Sequence, residues 1–140
     1  LGEVASQTTS NEVAKGDLSG NGTILLVEDE EAVRMFSARA LREKGYNVIE
    51  AGQGDEALEI IEENTHFDLL ITDVVMPNMD GPELNQKARA IRSDIKTIFI
   101  SGYAEDSFRK TLDSQENIHF LPKPFTLKDL AAKVKEVLRK

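Results

Sequence analysis

From Thr23 onward, unbroken apolar runs alternate with segments in which apolar residues recur every three or four positions. Ile24, Leu25, Leu26 and Val27 form the first run, as a strand buried on both faces requires. Over residues 31–44 the spacing changes to that of a helix, with Val33, Phe36, Ala40 and Leu41 on one face. Acids open this segment, Lys44 closes it, and Gly45 stands where a C-terminal cap belongs. A second strand is expected over Asn47–Ala51 and a second helix over 55–64, with Ala57, Leu58 and Ile61 inward. The run DLLIT over 68–72 predicts a third strand. Pro82 then suits the first turn of a helix reaching about Arg92, with Leu84, Ala88 and Ile91 on its buried side. Lys96–Ser101 is a fourth strand. A weaker helix over 105–112 has only Phe108 and Leu112 as anchors, and 118–121 is a fifth strand. The last helix opens on a capping box, Thr126 to Asp129, and presents Leu127, Leu130, Ala131, Val134, Val137 and Leu138 on one face.

Strands that alternate with helices pair in parallel through right-handed crossovers. The fold class expected is therefore α/β: a flavodoxin-like (βα)5 doubly wound sandwich around a five-stranded parallel sheet of order 2-1-3-4-5. Residues 1–22 lack such patterning. They are polar, rich in Ser, Thr, Asn and Gly, and expected to be a disordered linker ahead of one domain over 23–140. No internal repeat is present, and 140 residues suit a single core. The first residue is Leu, so the chain is expected to be a piece of a longer protein.

Composition narrows the function. There is no Cys, hence neither a disulfide framework nor a thiolate metal site, which fits a reducing cytoplasm. No apolar run approaches the roughly 20 residues of a membrane span, and no signal peptide is visible. A net charge of −8 argues against nucleic-acid binding and direct membrane contact. Most of the acids need be no more than a solvated surface.

A few acids are placed differently. Ligands of open parallel sheets bind beyond the carboxyl ends of the strands. The first strand ends in Glu28 and Asp29, the third in Asp73, the fourth in Ser101 and Gly102, and the fifth, after Pro122, in Lys123. Two unit charges about 4 Å apart repel by roughly 4 kcal/mol at an effective dielectric near 20, so clustered acids call for a proton or a cation. Oxygen ligands alone suit Mg²⁺ or Ca²⁺, and a site with few carboxylates favours Mg²⁺, which keeps several waters. A phosphoryl group there would meet the metal, the Lys123 ammonium and the Ser101 hydroxyl, which is positioning plus electrostatic stabilisation. Asp73 ends the central strand and is the best nucleophile, giving an acyl phosphate. Singly, each residue has a plainer reading: Asp29 as a helix cap, Ser101 as a turn residue, Lys123 as a surface lysine. Their joint occurrence at the strand ends is what points to chemistry. His66 and His119 show no pairing as ligands, and Met76 and Met79 are expected to pack.

The segments ILLVEDE, DLLITDVVMPNMDGPEL, IFISGYAED and FLPKPF resemble the receiver domains of two-component response regulators. Within that family, FISGYAEDSFRK and LPKPFTLKDLAAKVKEVL are similar to the C-terminal receivers of alphaproteobacterial cell-cycle hybrid histidine kinases. The resemblance implies a phosphorelay role: Asp73 as phosphoacceptor, Asp29 on Mg²⁺ directly, Glu28 largely through water, and Val75 through its carbonyl. It implies that Lys123 contacts the phosphoryl group, that Ser101 and Phe120 are the switch pair, and that the bond before Pro124 is cis. For Phe120, plain core packing stays an equal alternative. The implied partners are a histidine kinase domain and a histidine phosphotransferase, with the isolated domain a cytoplasmic monomer and the parent protein anchored in the inner membrane. Neither Val75 nor Tyr103, two positions after Asp73 and Ser101, is suited to orient a hydrolytic water, so slow self-dephosphorylation is expected.

Other functions remain open at this point. A stand-alone single-domain response regulator, binding a partner when phosphorylated, is the main alternative. A Mg²⁺-dependent phosphatase would show a DxD-type motif, which Asp29-Glu30-Glu31 matches imperfectly. A dinucleotide-binding domain is disfavoured because an acidic turn replaces the glycine-rich one. A DNA-binding regulator would need an output domain beyond Lys140.

Overall fold

A computed structural model describes residues 20–101 and 117–139. The helix expected over 105–112, Tyr103 and most of the leader lie outside the described residues. The described elements are β1 (Thr23–Val27), α1 (Glu31–Glu43), β2 (Asn47–Ala51), α2 (Gly54–Glu62), β3 (Leu69–Asp73), α3 (Gly81–Ile91), β4 (Lys96–Ser101), β5 (Ile118–Pro122) and α4 (Leu127–Arg139). All four strand pairings are parallel, and the order is β2-β1-β3-β4-β5, as expected. Gly20 and Gly22, on the leader side of the expected boundary, already bond to the domain. The Gly20 N–H donates to the Lys44 carbonyl at 2.8 Å, and the Asn47 N–H donates to the Gly22 carbonyl at 2.9 Å.

Strand periodicity divides the core in two. Ile24, Leu26, Ile71 and Ile98 face α1 and α4, where they meet Leu41 and Leu130. Leu25, Val27 and Leu70 face α2 and α3, where they meet Ala57, Ile61 and Leu84. Burying each such side chain contributes about 1.5–3 kcal/mol, which is why apolar residues dominate the strands. Helix ends follow local chemistry. Gly45 leaves α1 at φ +107°, a conformation open to glycine. Thr126 and Asp129 exchange two 3.0 Å bonds at the start of α4, as the capping box requires. Asp80 caps α3 by accepting from the Glu83 N–H at 2.9 Å.

Three side chains expected in the core are not there. Phe36 is 66% exposed, Ile91 44% and Leu127 42%. Helix α1 instead meets the sheet through Ser37, Ala38 and Leu41. Small residues let the helix lie close and roll Phe36 outward. Helix α3 buries Asn85 in place of Ile91, because the Thr97 hydroxyl donates to the Asn85 Oδ1 at 2.7 Å inside the core. Met76 and Met79 pack as expected.

Candidate functional site

The carboxyl ends of β1, β3, β4 and β5 meet at one edge, since β1, β3, β4 and β5 are consecutive neighbours in the sheet. Glu28 and Asp73 are both 2% exposed, although both are acids, and Asp29 beside them is exposed. Carboxylate oxygens of Glu28, Asp29 and Asp73 all lie within 4.8 Å of one another. Ser101 is buried at the end of β4, and its carbonyl accepts from the Lys123 N–H at 2.7 Å. The Lys123 ammonium stands 3.5 Å from the Asp73 Oδ1, an ion pair too loose to count as a hydrogen bond. The Lys123–Pro124 bond is cis.

Two buried oxygens at this edge, Glu28 Oε1 and Asp73 Oδ1, accept no hydrogen bond. Leaving a buried acceptor unsatisfied costs about 1–3 kcal/mol, and more for a charged group. Burial first and the neighbouring Glu28 carboxyl second, only partly opposed by Lys123, together push the Asp73 carboxyl up to about 8. Burial lowers the Lys123 pKa, but the charges of Asp73, Glu28 and Glu30 outweigh it and hold the ammonium above its ordinary value. An all-oxygen set with orphaned, desolvated acceptors fits a small hard cation.

The loop after β3 is anchored so that it crosses this edge closely. The Gly81 N–H donates to the Val74 carbonyl at 2.8 Å, and a Cβ on Gly81 would collide with the Asp73 carbonyl oxygen. Only glycine permits that approach. Val75, on the same loop, is 64% exposed at the mouth of the site. Phe120 is buried against Phe99, with ring centroids 5.8 Å apart, and packs with Val74. It thus occupies a core position one layer beneath Ser101 and Lys123. His66 is exposed and pairs with Asp68 at 3.3 Å, away from this edge.

Sequence reasoning missed two contributors. One is Gly81, whose need for glycine comes from a backbone approach that no spacing reveals. The other is Arg34, whose Nη1 donates to the Glu28 carbonyl at 2.8 Å.

Residues 24–135 match the family described as the response regulator receiver domain. The chain is 57% identical over 125 residues to the sensor kinase CckA of Brucella abortus (strain 2308), covering 89% of this chain but only 13% of that kinase. It is 40% identical over 115 residues to the response regulator receiver protein CpdR of the same bacterium, covering 82% of this chain and 95% of that protein. Among solved structures, the receiver domain from the hybrid histidine kinase CckA superposes with a TM-score of 0.71 at 47% identity, covering 84% of this chain and 99% of that one.

Proposed function

The chain belongs to the response regulator receiver family of two-component systems, and we propose that its Asp73 accepts a phosphoryl group from a phosphohistidine. The observation that carries this reading is the state of Asp73. It is a buried carboxylate with an orphaned oxygen, flanked by two further acids and one ammonium. Such a group is costly to keep unless it is used.

The step balances simply. An oxygen of the Asp73 carboxylate, its proton given up to solvent, attacks phosphorus. The new P–O bond forms as the P–N bond of a phosphohistidine protonated on its other ring nitrogen breaks, and the electron pair of that bond stays on the imidazole. The products are an acyl phosphate and a neutral histidine, and the reverse transfer uses the same groups. Glu28, Asp29 and Asp73, with the Val75 carbonyl, would hold Mg²⁺, which supplies positive charge against the phosphoryl oxygens. Lys123 already pairs with Asp73 and holds a phosphoryl oxygen once one is there. Ser101 donates its hydroxyl to another, and Phe120 beneath it responds as the switch aromatic.

Helix α1 supplies the docking face. Met35 and Phe36 are exposed, and a groove of about 530 Å³ lined by Glu30, Val33, Phe36, Lys123 and Phe125 opens beside the ammonium. A helical, histidine-bearing kinase or phosphotransferase domain fits there. We read the parent protein as a hybrid histidine kinase on the strength of the 57% identity. The 95% coverage of CpdR supports the second reading, a stand-alone receiver acting through phosphorylation-dependent binding. Incubation with a labelled phosphohistidine protein and Mg²⁺ tests the proposal. Label should pass to the wild type and not to Asp73→Asn, and undiminished labelling of that variant would overturn it.

A further inference from the structure

Arg34 is the fourth residue of α1, yet it does not simply point to solvent. Its Nη1 donates to the Glu28 carbonyl at 2.8 Å, where β1 gives way to the acidic turn. Its Nε pairs with the Glu50 Oε1 at 3.4 Å on β2, and its side chain is 19% exposed. The other Glu50 oxygen pairs with Arg42 at 3.0 Å. Glu50 therefore receives two arginines from one helix, and only one of them reaches the acidic turn. Arg42 instead donates to the Val48 carbonyl at 2.8 Å, well down the strand.

The turn itself has few other supports. The Glu28 N–H donates to the Ala51 carbonyl at 3.1 Å, and the Glu28 Oε2 accepts from the Glu30 N–H at 3.1 Å. The Glu28 carbonyl is thus fixed by Arg34, and the peptide plane it belongs to sets the directions of both the Glu28 and Asp29 side chains. Gly52 keeps the space open: a Cβ there would lie 3.3 Å from the Arg34 Nη1.

We propose that Arg34 is a positioning residue for the cation site, clamping the Glu28 carbonyl so that the Glu28 and Asp29 carboxylates face Asp73. Glu50 neutralises the guanidinium, so the clamp does not compete with the cation for the acids. This rests on reading the three acids as a Mg²⁺ site.

The sign of the effect separates position from charge. Removing a nearby cation acts through space to tighten Mg²⁺ binding, whereas loosening the turn weakens it. Arg34→Met should raise the Mg²⁺ Kd, measured by titrating amide NMR shifts, by about tenfold, the scale of lost outer-shell support. In the metal-free protein the same variant should speed hydrogen exchange at the Glu30 N–H. Arg42→Met, which loses the same counter-ion without touching Glu28, should leave both within about twofold. Gly52→Ala brings a Cβ to 3.3 Å from the Arg34 Nη1 and crowds the guanidinium while keeping its charge, so it should also weaken Mg²⁺ binding, by less than Arg34→Met. Arg34→Gln, which shortens the side chain and loses the Nη1 donor, carries the test if Arg34→Met does not fold. Unchanged or tighter Mg²⁺ binding in the folded Arg34 variant overturns the proposal, whatever the exchange shows. If the wild type binds no Mg²⁺, the metal reading fails, while the Glu30 exchange still decides whether the clamp exists.

Discussion

Charged residues gather at both ends of the parallel sheet, and the two groups are treated in opposite ways. At the amino end, the Asp68 Oδ2 accepts from the Thr23 N–H at 2.8 Å and its Oδ1 pairs with His66 at 3.3 Å. Arg92 donates to the Thr65 carbonyl at 2.9 Å and stacks 4.5 Å over the Phe67 ring. Lys96 donates to the Val137 carbonyl at 3.3 Å. Asp68, Arg92 and Lys96 there each have a partner on another segment and tie the fold together. At the carboxyl end, Glu28 and Asp73 are buried with orphaned oxygens, and Asp73 is pushed up to about 8. Polarity alone does not distinguish the ends; satisfaction does. Satisfied charge holds the fold, and unsatisfied charge marks where a ligand completes the site.

The contrast can be broken at several points. Lys123→Met removes the ammonium paired with Asp73, which is proposed to meet the phosphoryl group, and should slow phosphoryl acceptance by about 100-fold, in line with the loss of one electrostatic stabiliser. Single-turnover labelling checks this, and a loss below about threefold would remove Lys123 from the chemistry.

Asp73→Asn tests the cost of the buried acid. An acid whose folded pKa lies above its unfolded value binds its proton more tightly when folded. Its stabilisation is therefore present below about pH 4 and is lost as pH rises through about 8. The metal-free wild type should lose stability across that window, and the Asn variant should not. Near pH 8 the variant should be more stable by on the order of 2 kcal/mol, a rise of several degrees in Tm. Equal pH profiles for the two proteins would contradict the strain assigned to this edge.

A smaller effect sharpens the comparison between the ends. Asp29→Asn should weaken Mg²⁺ binding by about tenfold, whereas Asp68→Asn, at the satisfied end, should leave it unchanged and cost about 1 kcal/mol of stability. Calorimetric titration with denaturant unfolding reads both. Smallest is the change at Val75. An amide there can hold the water that an isopropyl group cannot, so Val75→Asn should hasten loss of the acyl phosphate by about threefold or more, read as decay of labelled protein without a partner. Decay of the wild type within seconds, or no change in the variant, would discard the water-access argument.

The strands were legible because each is a short, mostly apolar run between polar breaks, and the site residues were legible because they stand at the carboxyl ends of those runs. Helix faces were less so. In α1 the apolar set includes both an inner face and the exposed Met35 and Phe36, and periodicity cannot say which set meets the sheet. Ser37 packs inward because a close crossing needs a small side chain, not an apolar one. Asp80 was overlooked as a cap, although Asp three residues before Glu is a readable signal. Arg34 and Gly81 had no such signal, since both act on backbone carbonyls brought near by the sheet edge.

The destination of the phosphoryl group is the most direct test. Protein labelled by a phosphohistidine donor in Mg²⁺ can be reduced with borohydride, which converts an aspartyl phosphate to homoserine, and then mapped by peptide mass. The modification should fall on residue 73 alone. Homoserine at position 29, the reduced hydroxypentanoic product of a glutamyl phosphate at position 28, or an acid-stable phosphate on Ser101 would contradict it.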